Sequence, residues 1–246
     1  QRQMCIRDRI SMSTFVVDNS FREIFPEASV GVLVLDNLDN TKKSSENVIK
    51  LLENANEEAK KHLTEAQLSQ NPVISIWREA YQKFKTKKGV RSSIEALLKR
   101  VEKGNAVGTI NPLVDIYNSI SLKYGMPCGA EDIDTFEGNL ILGVTEGGDE
   151  FYALGDEENS PTLVGEVCYR DNKGAVCRCF NWRDGKRTMI TENTKKAFVV
   201  IEAINSDRNE DIAKALEEIA LYAGEELGAQ KVKLELLKKD NNTLEL

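Results

Sequence analysis

A single histidine, His62, stands in 246 residues, and that scarcity removes whole classes of chemistry. With that one histidine placed on a charged helix, the sequence lacks the parts for a Ser/His triad, a Cys/His nucleophile or a histidine-based zinc site. Long apolar runs are missing as well. Val30 to Leu35 and Ala197 to Ile204 fall far short of the roughly 20 residues a spanning helix needs, so no membrane partner is expected. Positive charge is in deficit, with 33 Lys and Arg against 40 Asp and Glu, a net charge of -7. Such a field repels phosphate, so a nucleic-acid contact would have to come from a local basic patch. Five cysteines, an odd number without a secretory signal, suggest reduced thiols and a cytoplasmic setting. No low-complexity linker or long Pro/Gly stretch divides the chain, which predicts one domain.

What is present is a sequence with 41% hydrophobic and 30% charged residues, a normal mixture for a folded chain. Gln1 to Ser11 is short, Arg-rich and without apolar periodicity. It reads as a non-native leader carrying Cys5, with Met12 the expected start. Strands are expected at 13–17 and 29–35. Apolar residues at helical spacing from Val48 to Leu63 predict a helix over about 46–68, with His62 a solvated residue on it. Asn71-Pro72 and Asn111-Pro112 are both N-cap plus first-turn proline signals. Ser92 and Glu95 form a capping box for a helix over 93–102 that stops at Gly104. Beyond Gly138 strands and turns dominate, at 140–144, 151–154, 163–170, 175–182 and 197–204. A last helix over 211–227 and a strand over 231–237 follow, and 238–246 are expected to fray. The reading is α+β, with mainly antiparallel sheet flanked by helices, over residues 12–237.

Several constellations carry chemistry. The basic run Lys85 to Arg91 leads into Ser92 and Ser93, where a helix N-terminus would favour an anion. Asp115 and Asn118 lie three apart on one helix face, with Asp132 in what reads as the following loop. Asn181, Trp182 and Arg183 join stacking and anion-binding groups beside a turn, and Glu166 is a candidate buried carboxylate. A hairpin turning at 171–174 would set Cys168 opposite Cys177 with Cys179 nearby. Without CxxC knuckles or a fourth ligand, these read as small apolar residues and no metal is expected.

The spaced set Asn111, Val114, Asp115, Asn118, Gly125, Pro127, Ala130, Asp132 and Gly138 resembles the signature of the B3/B4 editing domain of the phenylalanyl-tRNA synthetase β subunit. Trp77-Arg78, Arg91 to Glu95, Lys99-Arg100 and Asn181-Trp182-Arg183 are closest to free-standing versions of that domain. The resemblance implies a B3/B4-like fold, contact with a tRNA or aminoacyl-tRNA 3′ end, and trans-editing hydrolysis of a mischarged ester. It implies neither amino acid activation nor ligase activity, and no cofactor. Under it Asp115, Asn118 and Glu166 would be catalytic. Arg91, Ser92, Ser93, Asn111, Gly129, Asp132, Asn181, Trp182 and Arg183 would bind substrate. Gly129 stands where the synthetase has histidine, and Trp182 to Lys186 replace its Gly-Gly-Glu stretch, departures that point away from tyrosine. A binding module for tRNA, or for a free amino acid or small carboxylate, is the alternative.

Overall fold

The computed structural model describes residues 13–246; the expected leader, Cys5 and the start at Met12 lie outside the described residues. Two sheets organise them. Strands β1 (Thr14–Val17), β4 (Leu140–Val144), β5 (Val167–Arg170), β6 (Ala175–Arg178), β7 (Arg183–Asp184) and β10 (Thr243–Glu245) form the first, in the order β10-β1-β4-β5-β6-β7. Only β1 and β4 run parallel; every other pairing is antiparallel. The second sheet has the order β3-β8-β2-β9, from Cys128–Asp132, Ala197–Ala203, Ser29–Asp36 and Gln230–Leu237, and is antiparallel throughout.

The apolar runs Val30–Leu35 of β2 and Ala197–Ile201 of β8 follow from burial on both faces. Val30, Val32 and Val34 of β2, with Phe198 and Val200 of β8, join a core shared with the first sheet. There the Phe198 ring sits 5.0 Å from Phe15 and 6.4 Å from Tyr169. Their alternates Leu33, Leu35, Val199 and Ile201 face helices α5 (Pro112–Tyr124) and α6 (Asn209–Leu227). Gly31 permits the close approach of α6: a Cβ there would lie 2.3 Å from Ile212 Cγ2. Any side chain would push the helix off the strand.

The remaining helices are α1 (Asn19–Ile24), α2 (Glu46–Glu58), α3 (Pro72–Ala80) and α4 (Ser93–Glu102). The helix expected over 46–68 ends at Glu58 and continues as a 3-10 turn over Ala59–His62, beyond which the Asn71 side chain accepts from Thr64 N and Glu65 N at 2.8 and 3.0 Å and holds the chain out of the helix. That use of the amide leaves α3 without a side-chain cap. His62 is half-buried rather than solvated. Its Nε2 lies 3.1 Å from the carbonyls of Leu122 and Lys123, and burial lowers its pKa. Residues 238–246 do not fray: β10 pairs with β1, and Leu244 and Leu246 are buried. The stretch 151–154 is loop, since Asn159 Oδ1 takes the Phe151 N–H that a strand would pair. Cys177 faces Tyr169, not Cys168, because a bulge shifts the β5–β6 register.

Candidate ligand-binding site

β6 ends in a local distortion. Cys179 and Phe180 have φ of 49° and 66°, two successive non-glycine residues in the left-handed region. Such residues cost about 1–3 kcal/mol each. The Phe180 ring offsets that cost. It is fully buried, with Phe21, Phe25 and Trp77 at 5.2, 5.6 and 5.2 Å between centroids, each contact adding about 0.5–1.5 kcal/mol beyond burial. The reversed backbone presents Asn181, whose Oδ1 accepts from Tyr81 Oη at 2.6 Å and whose carbonyl accepts from Ser93 N at 3.1 Å.

Between this segment, β3 and β8 lies a cavity of about 80 Å³, room for several waters or one side chain. Cys128, Ala130, Phe198 and Val200 give it apolar walls, and Trp182 with the exposed Arg183 forms its open end. Its polar groups are Ser93, Glu131, Tyr169, Asn181, Asp184 and Glu202. Glu131 and Glu202 are almost fully buried. Burial, then the neighbouring Asp184, holds Glu131 well above the usual carboxylate range, although Thr188 Oγ1 donates to it at 2.9 Å. Burial likewise pushes Glu202 up, against the pull of the Tyr169 hydroxyl and the Asn181 amide. Yet Glu202 Oε2, Tyr169 Oη, Asn181 Nδ2 and Ser93 Oγ close no hydrogen bond within the protein. Buried polar atoms are almost always paired, so four lining one cavity mark a place shaped for a guest.

The expected site residues divide. Ser93, Gly129, Asn181, Trp182 and Arg183 line this cavity. At Gly129 a Cβ would meet nothing nearer than Val200 Cγ1 at 4.0 Å, so the missing side chain leaves open space. Asp115, Asn118, Glu166, Arg91, Ser92, Asn111 and Asp132 do not line it. Asp115 is fully buried and takes Ser44 Oγ at 2.5 Å and Ile110 N at 2.7 Å, tying two loops to α5. Asn111 caps α5 through Val114 N and accepts from Asn40 Nδ2. Asp132 sits on β3 rather than in a loop and accepts from Thr194 Oγ1 at 2.9 Å. The α4 N-terminus is not free for an anion. Ser92 Oγ takes Glu95 N, Ser93 N goes to Asn181, and the buried Glu95 carboxylate there is paired with Arg78 and lies 3.7 Å from Arg91.

Glu166 works at one remove. It is fully buried in an ion pair with Arg178, whose Nη1 also donates to the Ser160 carbonyl at 3.0 Å. The Arg178 guanidinium lies 5.7 Å from the Trp182 ring, and that of Arg183 lies 4.7 Å from it. The pair therefore braces the cavity's aromatic edge without touching its contents. Glu131, Tyr169, Asp184 and Glu202 were missed in the sequence. One signal could have exposed Glu202: it interrupts an otherwise unbroken apolar strand from Ala197 to Ile204.

Comparison with known proteins places this geometry. Residues 76–221 match the B3/4 domain, a span that contains every residue lining the cavity. The phenylalanine--tRNA ligase beta subunit of Fusobacterium nucleatum subsp. nucleatum is 27% identical over 133 residues, 54% of this chain and 16% of that protein. An N-terminal fragment of the phenylalanyl-tRNA synthetase beta-subunit from Pyrococcus horikoshii aligns over 95% of this chain and 54% of its own, at 14% identity and a TM-score of 0.48. This chain thus spans a small part of the ligase subunit and about half of the archaeal fragment. With the family match extending over more than half of its length, the chain belongs to the B3/4 domain family.

Proposed function

We propose that this protein takes the aminoacyl group of a charged tRNA into the cavity beside Asn181 and releases the amino acid by hydrolysis. The carrying observation is the set of unpartnered buried atoms, Asn181 Nδ2, Tyr169 Oη and Glu202 Oε2, inside the family-matched segment. An aminoacyl ester is already reactive. Orienting it and a water molecule beside fixed polar groups suffices, so the lack of a spare histidine is no obstacle. Trp182 and Arg183 at the open end offer a stacking face and a cation to the terminal nucleotide. A wrong amino acid would be rejected by leaving the cavity's polar atoms unpaired.

The test is a panel of mischarged tRNAs incubated with the protein. Release of one amino acid above the uncatalysed rate is expected, and Asn181→Ala should reduce it. Release from no tRNA in the panel rejects hydrolysis. One observation favours binding without turnover: Asp115 and Glu166, the carboxylates expected to be catalytic, are consumed by structural contacts. That reading predicts a rise in melting temperature with charged tRNA or a free amino acid and no release.

A further inference from the structure

Three carboxyl groups from three strands, Glu131 on β3, Asp184 on β7 and Glu202 on β8, line the one small cavity. Among the described residues no lysine or arginine forms an ion pair with any of them. The nearby cations are engaged elsewhere. Arg187 gives both ends of its guanidinium to Asp171 at 2.8 and 2.7 Å, Arg178 is held by Glu166, and Arg183 lies over Trp182. Acids buried without a counter-charge are costly when ionised. A cluster of acids alone would not define a site. Here the buried Tyr169 Oη and Asn181 Nδ2 also close no hydrogen bond, and both residues line the same space.

The occupant is not a bare metal ion. Among the described residues no three His, Cys, Asp or Glu side chains converge closely enough to hold one. Carboxyls spread around apolar walls of Ala130, Phe198 and Val200 instead suit an organic cation on a hydrocarbon stem. Resting on the reading of this cavity as an aminoacyl site, we propose that it selects a basic amino acid, whose methylene stem passes between the apolar walls and whose cationic end lies among the spread carboxyls of Glu131, Asp184 and Glu202.

A linked proton exchange follows. Glu131 faces Asp184, Thr188 and, at longer range, Arg187, while Glu202 faces Tyr169, Asn181 and Asp184. Cys128, Cys177, Tyr81 and Tyr117 around them are held neutral by burial. In the empty cavity burial keeps Glu131 and Glu202 protonated above their ordinary range, and an arriving cation favours the ionised forms. Binding should release protons and strengthen as pH rises.

Calorimetric titration of the intact chain with the methyl esters of L-lysine, L-arginine, L-tyrosine and L-phenylalanine tests this. Repeating it in buffers of different ionisation enthalpy counts the protons. A basic ester should bind most tightly and release protons in excess of the phenylalanine ester. Glu131→Gln, which keeps shape and removes charge, should weaken the basic ester ~10- to 100-fold more than it weakens the phenylalanine ester, the range of a charged hydrogen bond. Glu202→Gln provides a second variant should Glu131→Gln fail to fold. Tighter binding of tyrosine or phenylalanine overturns the basic specificity and keeps the aminoacyl site. Equal affinity for all four assigns binding to the shared α-ammonium and also overturns it. Binding of none removes the aminoacyl reading itself.

Discussion

Two polar regions of this protein differ in one respect that separates scaffold from site. At the start of α5, Asn111 and Asp115 are surrounded by partners: Asn40, Ser44, and the backbone N–H groups of Val114 and Ile110. In the cavity, buried Asn181 and Glu202 leave Nδ2 and Oε2 with none. A satisfied network has used its hydrogen-bonding capacity on the fold, whereas an unsatisfied one holds it in reserve for a ligand. Polar residues clustered in sequence do not distinguish the two; their partners do.

The comparison breaks most sharply at Phe180. Phe180→Ala removes the ring that holds two left-handed residues in place, with an expected loss of about 3–5 kcal/mol, measured by urea denaturation. Residual folded protein should lose ligand affinity, since Asn181 follows directly. Asp115→Ala comes next, at about 2–3 kcal/mol, because Ile110 N–H loses its acceptor. If Asp115 belongs only to the scaffold, folded Asp115→Ala should bind and hydrolyse as the parent does. A folded variant without activity would move the site to α5.

The fold was largely legible, because its signals are local. Asn111-Pro112 and Ser92 cap helices where expected, and the apolar runs of β2 and β8 form the central strands. Pairing partners were not legible. Asn71 looked like Asn111 but spends its amide on the preceding loop, and nothing within 238–246 announces its pairing with β1. Of the expected site residues, Asn181, Trp182, Arg183 and Gly129 line the cavity, whereas Asp115, Asn118 and Glu166, grouped with them by polarity in the sequence, do not. Glu131 and Glu202 escaped notice because their meeting depends on the β3–β8 pairing, some seventy residues apart. Even the kink at Cys179 and Phe180 has no signal, since neither residue favours a positive φ.

Acidity offers a subtler division between the regions. Glu131 and Glu202 start from an ordinary value of 4.5 in the unfolded chain and are raised by burial in the folded one. Each therefore stabilises the protein fully below about pH 4.5, and that contribution fades as pH rises towards its folded-state pKa. The slope should be about 1.4 kcal/mol per pH unit for each group in this window. Denaturation midpoints should fall as pH rises above 4.5, and Glu202→Gln should flatten the curve. An unchanged curve would mean that Glu202 is ionised or solvated in the empty cavity.

The smallest expected effect is the most discriminating. Tyr169→Phe deletes a buried hydroxyl that has no protein partner and leaves the ring stacked 6.0 Å from Phe15. In a scaffold residue, losing a buried hydroxyl costs stability because a partner is stranded. Here the hydroxyl faces the Glu202 carboxyl without closing a hydrogen bond to it, so the variant should be as stable as the parent or more stable by up to about 1 kcal/mol, as the desolvation penalty disappears. Ligand affinity should fall over the same substitution. A gain in melting temperature paired with weaker binding marks a residue kept for function at the expense of the fold. A drop in melting temperature with binding intact would return Tyr169 to the scaffold, and the contrast between the two regions would lose one of its members.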